Sequence, residues 1–243
     1  MIRNYIANRI LIVNDEHDVG FPYAPLFQGM GDITHDIDAF LLNPHKFKLI
    51  QFTGGADVSP SLYGDTSPKN VCRSSSSRDK QEAKIFNKAR SASVRMAGIC
   101  RGLQFLNVMA GGKMMHHISG HSGEHEVCTS NGFTPSLRVN SFHHQMCIPA
   151  KGTYTMAWST EKLSTGYTGD KDEDMKWYGP EVEALFMPAV MSLGVQWHPE
   201  ALAKGQLGRE FYINMINDYL IHGSSVFRES YLGEDYVHRT AHV

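Results

Sequence analysis

VRMAGICRGLQFLNVMAGG, residues 94–112, decides how this chain is read. Residues 94–99 are a short apolar, β-prone run. Residues 103–110 carry apolar side chains at helical spacing, and Gly111 and Gly112 close them as a C-cap. Cys100 stands between the two runs, with Gly98 and Gly102 two positions to either side. Glycines at those positions let a strand turn sharply into a helix, which is the mechanics of a nucleophile elbow. Such a turn presents the side chain at the C-terminal edge of a sheet, where open α/β sheets bind ligands. It also sets the thiol at a helix N-terminus, where negative charge on sulfur is favoured. A buried structural cysteine beside an accidental pair of glycines is the plainer account of the same letters.

Working outward, short β-rich runs alternate with amphipathic stretches. Residues 9–13 and 47–52 read as strands, 36–42 as a short helix, 60–77 as a polar loop and 79–93 as a helix. Beyond Phe133 the pattern is mostly strands, at 136–141, 153–159, 182–186 and 190–197, followed by a helix over 209–220. The alternation predicts an α/β fold around a largely parallel sheet. Neither a repeat nor a linker interrupts it. The expectation is one domain over residues 1–222 and a polar, weakly patterned tail over 223–243.

The 243 residues are 42% apolar and 20% charged, an ordinary globular composition with room for a full core. A formal net charge of −2 supplies no electrostatic attraction to nucleic acid or to an anionic membrane. No apolar run is long enough for a membrane span, and residues 10–13 are too short for a signal-peptide core. Cys72, Cys100, Cys128 and Cys147 form no CxxC pair, so a reducing, cytoplasmic setting is expected.

A thiolate that attacks an amide needs a histidine to move protons, and that histidine needs an orienting acceptor. Gln196-Trp197-His198-Pro199-Glu200 ends the strand expected over 190–197. In extended chain, positions i and i+2 share a face, so His198 and Glu200 would lie side by side. With thirteen histidines, a chance His-x-Glu is easily met. Its pairing with the cysteine elbow is what gives it weight.

GICRGLQ followed far downstream by GVQWHPE resembles the class I glutamine amidotransferase superfamily. GGADVSPSLYG (residues 54–64), RDKQE, GICRGLQFLNV, VNSFHHQ and GVQWHPE stand in the order of its γ-glutamyl hydrolase-like branch, the peptidase C26 family. This branch includes enzymes that hydrolyse γ-glutamyl-γ-aminobutyrate. The likeness spans about residues 9–220. It implies a three-layer sandwich of the flavodoxin-like kind with a mostly parallel central sheet. It implies Cys100 as nucleophile, His198 as general base and acid, and Glu200 as the residue orienting His198. Gly55 and Arg101 would supply the oxyanion-hole N–H groups, because a glycine-rich turn lets backbone approach a developing oxyanion. Gln104, one helical turn after Cys100, would contact the γ-glutamyl group, and Asn140, Ser141, His143 and His144 would bind substrate. Asp57 either ties the loop to backbone amides or makes a simple Asx turn.

The remaining signals receive plainer readings. His116, His117, His121, His125, His143 and His144 are not assigned to a metal, because the first four lie in a loop-like stretch without regular ligand spacing. Arg78, Asp79 and Glu82 read as a capped, solvated helix start. Tyr63 and Trp197 read as core. Residues 166–176 look like an exposed insertion, and Phe21-Pro22-Tyr23-Ala24-Pro25 stands where the family has a longer passage. The resulting expectation is a cysteine-dependent hydrolase releasing glutamate from glutamine or a γ-glutamyl amine, with no metal or organic cofactor. One alternative is a glutaminase subunit that passes ammonia to a separate synthase. Another is a catalytically silent binding protein on the same scaffold. Nucleic acid and membrane are not expected partners, and a homo-oligomer is left open.

Overall fold

The computed structural model describes residues 7–14, 20–67, 70–130 and 137–222. The tail expected over 223–243, and the start of the strand expected at 136, lie outside them. In chain order the elements are β1 (Arg9–Val13), β2 (Asp32–Thr34), α1 (Ile37–Leu42), β3 (Phe47–Phe52), α2 (Ser76–Ser91), β4 (Arg95–Ile99) and α3 (Arg101–Met109). Then come β5 (Lys113–Met115), β6 (His117–Ser119), β7 (His125–Thr129), β8 (Leu137–Val139), β9 (Met146–Ile148), β10 (Tyr154–Ser159), β11 (Gly166–Thr168), β12 (Val182–Met187), β13 (Ser192–Val195) and α4 (Leu207–Met215). A π-helical segment, Ile216–Ile221, continues α4.

Nine strands form one sheet in the order β2-β1-β3-β4-β13-β12-β10-β7-β8. The pairings from β2 to β13 are parallel, and those from β13 to β8 are antiparallel. Two-stranded ladders β6–β11 and β5–β9 stand outside it. The fold is α/β, and its parallel half carries the elbow.

Alternate side chains of the parallel strands enter two separate cores, as the two-residue period of a strand dictates. Ile10, Ile12, Leu49, Ala97 and Ile99 pack on the side of Tyr212, Met215, Ile216 and Leu220. Leu11, Val13, Ile50, Phe52 and Met96 pack on the side of Phe40, Ile85, Phe86, Leu103 and Leu106. One face is therefore covered by α4 and its extension, the other by α1, α2 and α3. The near-continuous apolar strands are a consequence of burial on both faces.

Three expectations are corrected. The stretch around His116 to His125 is not a loop: His117 opens β6, which pairs with β11, and His125 opens β7. Residues 166–176 are not simply an exposed insertion, since Tyr167 of β11 is buried and its hydroxyl donates to Glu181 Oε1 at 2.7 Å. The strand expected over 190–197 is shorter, because Pro188–Val190 forms a 3-10 turn and only Ser192–Val195 pairs. These strands are too short to show a period in sequence.

Close backbone packing explains the glycines of the elbow. A Cβ on Gly102 would stand 2.3 Å from the Phe52 carbonyl oxygen, and one on Gly98 2.4 Å from Gly102 C. Gly194 on the neighbouring strand is equally confined, its Cβ position lying 2.6 Å from Gly98 O. These neighbours are backbone and cannot rotate aside. Gly98→Ala and Gly102→Ala are each expected to cost about 1–3 kcal/mol or more. Urea unfolding would show it as a lowered midpoint at unchanged slope.

Candidate active site

Cys100 leaves β4 and enters α3 at φ 52° and ψ −110°, a conformation that non-glycine residues seldom adopt. Strain of this kind persists only where surroundings over-determine it. Here the Cys100 N–H donates to Val195 O at 2.8 Å, which ties the elbow to the next parallel strand. Arg101 is the first residue of α3, so its N–H has no partner within the helix. The Cys100 side chain is buried at the edge, with 7% of the residue exposed.

His198 reaches the sulfur from the neighbouring strand's extension. Its ring bonds through Nδ1 to Glu200 Oε1 at 2.6 Å, and the Cys100 sulfur acts on its charge. The His–Glu pair was expected from extended geometry, but Pro199 begins a 3-10 turn, Pro199–Ala201, and the turn itself brings the carboxylate back to the ring. Asn140 holds the His198 backbone at both ends: its Oδ1 accepts the His198 N–H at 2.8 Å and its Nδ2 donates to His198 O at 3.0 Å. Phe142, largely exposed, stands edge-on to the His198 ring with centroids 5.7 Å apart. Burial by itself would lower the His198 pKa. The Cys100 sulfur and the Glu200 carboxylate overcome it and raise the value to about 10.

The glycine loop is held by buried charge. Gly55 sits at φ 130°, open in practice only to glycine. The Gly54 N–H donates to the Tyr23 hydroxyl at 3.1 Å. Arg78 Nη2 donates to Gly54 O at 2.6 Å, and Arg101 Nε donates to Ala56 O at 3.1 Å. The Arg101 guanidinium also pairs with Asp79 and Glu82, and Arg78 Nε pairs with Glu82 Oε1 at 2.8 Å. Asp79 Oδ2 accepts the Ser59 N–H at 3.1 Å. The solvated helix start expected for Arg78, Asp79 and Glu82 is thereby corrected: all three are buried, and Ser75 makes no side-chain cap. Burial, with Arg78 beside it, lowers Arg101 to about 9 against the pull of Asp79.

Most of the remaining candidate side chains bond to protein groups. Gln104 Nε2 donates to Gln196 Oε1 at 3.2 Å, and Gln196 Nε2 approaches Cys100 Sγ at 3.6 Å. Ser141 Oγ donates to His121 O at 3.3 Å, and His143 Nδ1 bonds to Gln145 O at 2.9 Å. Asn140 and His143, expected to bind substrate, make these internal bonds. Half-exposed His144 instead bridges to Asp57 Oδ1 of the glycine loop at 3.1 Å. Asp57 Oδ2 also accepts the Arg73 N–H at 2.7 Å, so Asp57 does tie the loop. Gln196 escaped notice in sequence, although it stands two residues before His198 in the same run. Tyr23, in the departing Phe21–Pro25 stretch, was missed because its partner is a distant backbone N–H.

A strained cysteine elbow facing a His–Glu pair across parallel strands defines a class I glutamine amidotransferase-like protein. The peptidase C26 family model matches residues 45–164. YvdE of Lactococcus lactis subsp. lactis, described as glutamine amidotransferase-like, is 30% identical over 73% of this chain and 78% of its own length. The chain belongs to this family, peptidase C26 of the class I glutamine amidotransferase superfamily. The fold is also that of a GMP synthase-type protein of Thermoplasma acidophilum (TM-score 0.57, 15% identity, covering 88% of this chain and 96% of that one). A glutamine amidotransferase of Thermotoga maritima shares it too (TM-score 0.52, 13% identity, covering 90% and 91%). No helix among the described residues is long and apolar enough to cross a membrane.

The raised His198 value carries a sign. Its stabilisation is complete below the ordinary histidine pKa of 6.5 and is lost as pH rises through about 10. Chemical unfolding across pH 6 to 10 should show wild type more stable than Glu200→Gln at the acid end, with the gap closing toward pH 10. A gap that widens with pH would contradict the pairing.

Proposed function

We propose that this protein is a cysteine-dependent hydrolase of γ-glutamyl amides that works through a γ-glutamyl thioester. The observation that carries the reading is the strained Cys100 elbow set against the bonded His198–Glu200 pair. Cys100 sulfur attacks the γ-carbonyl carbon, and the carbonyl oxygen becomes an oxyanion. The N–H groups of Gly55 and Arg101 face that oxygen, held by the guanidinium network behind them. The imidazolium of His198 protonates the departing amine or ammonia as the C–N bond breaks. His198, now neutral, takes a proton from water, which attacks the thioester and releases glutamate and the thiol. Glu200 keeps the ring oriented and balances its charge in both halves. Gln196 and Gln104 form the floor beside the sulfur, and His144 with Asp57 forms the exposed rim where the amine leaves.

The likeness to the GMP synthase-type protein supports a second reading, in which the same half-reaction supplies ammonia to a separate synthase. Glutamate release from L-glutamine, γ-glutamyl-γ-aminobutyrate, γ-glutamyl-putrescine and a γ-glutamyl anilide separates the two. The hydrolase turns over at least one γ-glutamyl amine and acts poorly on glutamine; a glutaminase lacking its synthase acts on glutamine alone, and slowly. Cys100→Ala should lower kcat by about four to six orders of magnitude with the fold intact. Activity that survives Cys100→Ala, or wild type inert to every substrate and to iodoacetamide, would refute the catalytic reading.

A further inference from the structure

Behind the Cys100–His198 pair lies a second cluster that the proposed reaction does not use. Glu183 of β12 is fully buried, and three histidines converge on it. Its Oε1 is 2.9 Å from His121 Nε2, 3.2 Å from His125 Nε2 and 3.9 Å from His143 Nε2. One ligand atom from each of His121, His143 and Glu183 lies within 4.8 Å of the other two. Ligands at tetrahedral zinc, about 2.0–2.2 Å from the metal, stand about 3.4 Å from one another, so these spacings bracket what such an ion requires.

Two features distinguish the cluster from an ordinary buried ion pair. The first is the outer nitrogens. His121 Nδ1 faces Glu181 Oε2 at 3.1 Å, and His143 Nδ1 bonds to Gln145 O at 2.9 Å. Histidines that bind metals donate their other ring N–H to a carboxylate or a backbone carbonyl in this way. Glu181 is itself fixed by the N–H groups of Leu163 and Ser164, at 2.9 and 2.8 Å, and by the Tyr167 hydroxyl. The second is unsatisfied atoms. A carbonyl only accepts, so His143 Nδ1 carries a proton and its bond to Gln145 O fixes the ring with Nε2 on the Glu183 side. Both His143 Nε2 and Glu183 Oε2 are buried without a hydrogen-bond partner. Buried polar atoms without a partner call for one, and a cation seated among the three ligand atoms would supply it.

We propose that His121, His143 and Glu183, with His125 as the fourth ligand, bind a divalent first-row cation of the zinc class. Four protein ligands leave no open position, so the ion is structural rather than hydrolytic. Its place in the fold gives it work. The Glu183 carbonyl accepts the Gln196 N–H at 2.7 Å, and Gln196 is the residue touching Cys100 Sγ. Ser141 and His143 flank Phe142, which stands on His198. The ion would lock β12 to the segment that carries Asn140 and Phe142, fixing the ring of His198 from behind.

The test is metal content and uptake in the full chain, which depends on no activity. Protein grown with zinc present should hold about one equivalent by mass spectrometry. After chelation, Co(II) should bind and give visible tetrahedral ligand-field bands, and Zn(II) should raise Tm in a concentration-dependent way. His143→Ala and Glu183→Gln should each weaken uptake by roughly tenfold or more. Cys100→Ala should bind as wild type does, which separates this site from the reactive thiol. Stripped, folded wild type that takes up no cobalt and shows no Tm shift with zinc would overturn the proposal, even if the variants fail to fold. Binding lost in Cys100→Ala but kept in His143→Ala would overturn it too.

Discussion

The backbone of Cys100 is the constraint on which the rest of this structure depends. A side chain at φ 52° and ψ −110° costs free energy that the local chain cannot offset. The surroundings must therefore hold it. They do so by bringing backbone against backbone: Gly98 against Gly102, Gly102 against Phe52, and Gly194 against Gly98. The first closes the elbow on itself, and the other two join it to β3 and to β13. The turn is thus a property of three adjacent strands, and the helix after it starts where the sheet's central edge can be reached. Absence of a Cβ at three positions is what lets one thiol stand at that edge.

The glycine loop opposite shows a different solution. Loops are ordinarily held by turns and water, but this one is pinned by two guanidinium groups buried behind it. Arg78 and Arg101 bond to the carbonyls of Gly54 and Ala56, and their charge is balanced by Asp79 and Glu82. Removing one partner from such a network strands a buried charge, which typically costs about 3–5 kcal/mol. The carbonyls are drawn toward the guanidinium side. A peptide whose carbonyl is held on one side points its N–H to the other, the orientation the proposed oxyanion hole requires.

What could be read in the sequence follows from the range over which each interaction acts. The elbow was legible because Gly98, Cys100 and Gly102 act on one another locally, and the same is true of His198-Pro199-Glu200. The parallel strands were legible because burial on both faces leaves continuous apolar runs. The placement of Arg78, Asp79 and Glu82 was not. Their spacing suits a solvated helix start equally well, and only the approach of Arg101 from α3 makes them core. The bonds of Asn140 were hidden for a related reason. An amide in a polar motif reads as a ligand contact until its partner is known to be the His198 backbone, fifty-eight residues away. The short strands β6 and β11 have too few residues to show a period, so histidines that begin or flank strands looked like a loop.

His198 is held through its backbone and its ring. Asn140 fixes its backbone at N–H and carbonyl, Glu200 fixes Nδ1, and Phe142 limits the swing of the ring. The other ring face is left for Cys100. In the proposed reaction the His198 ring would give a proton to nitrogen and accept one from water without moving far. Each reorientation would raise the barrier, since catalytic hydrogen bonds work only within a few tenths of an ångström of their productive length. The buried partners of His198 thus hold one ring in one place. That is why so many polar side chains near this site bond to protein groups rather than to the cleft.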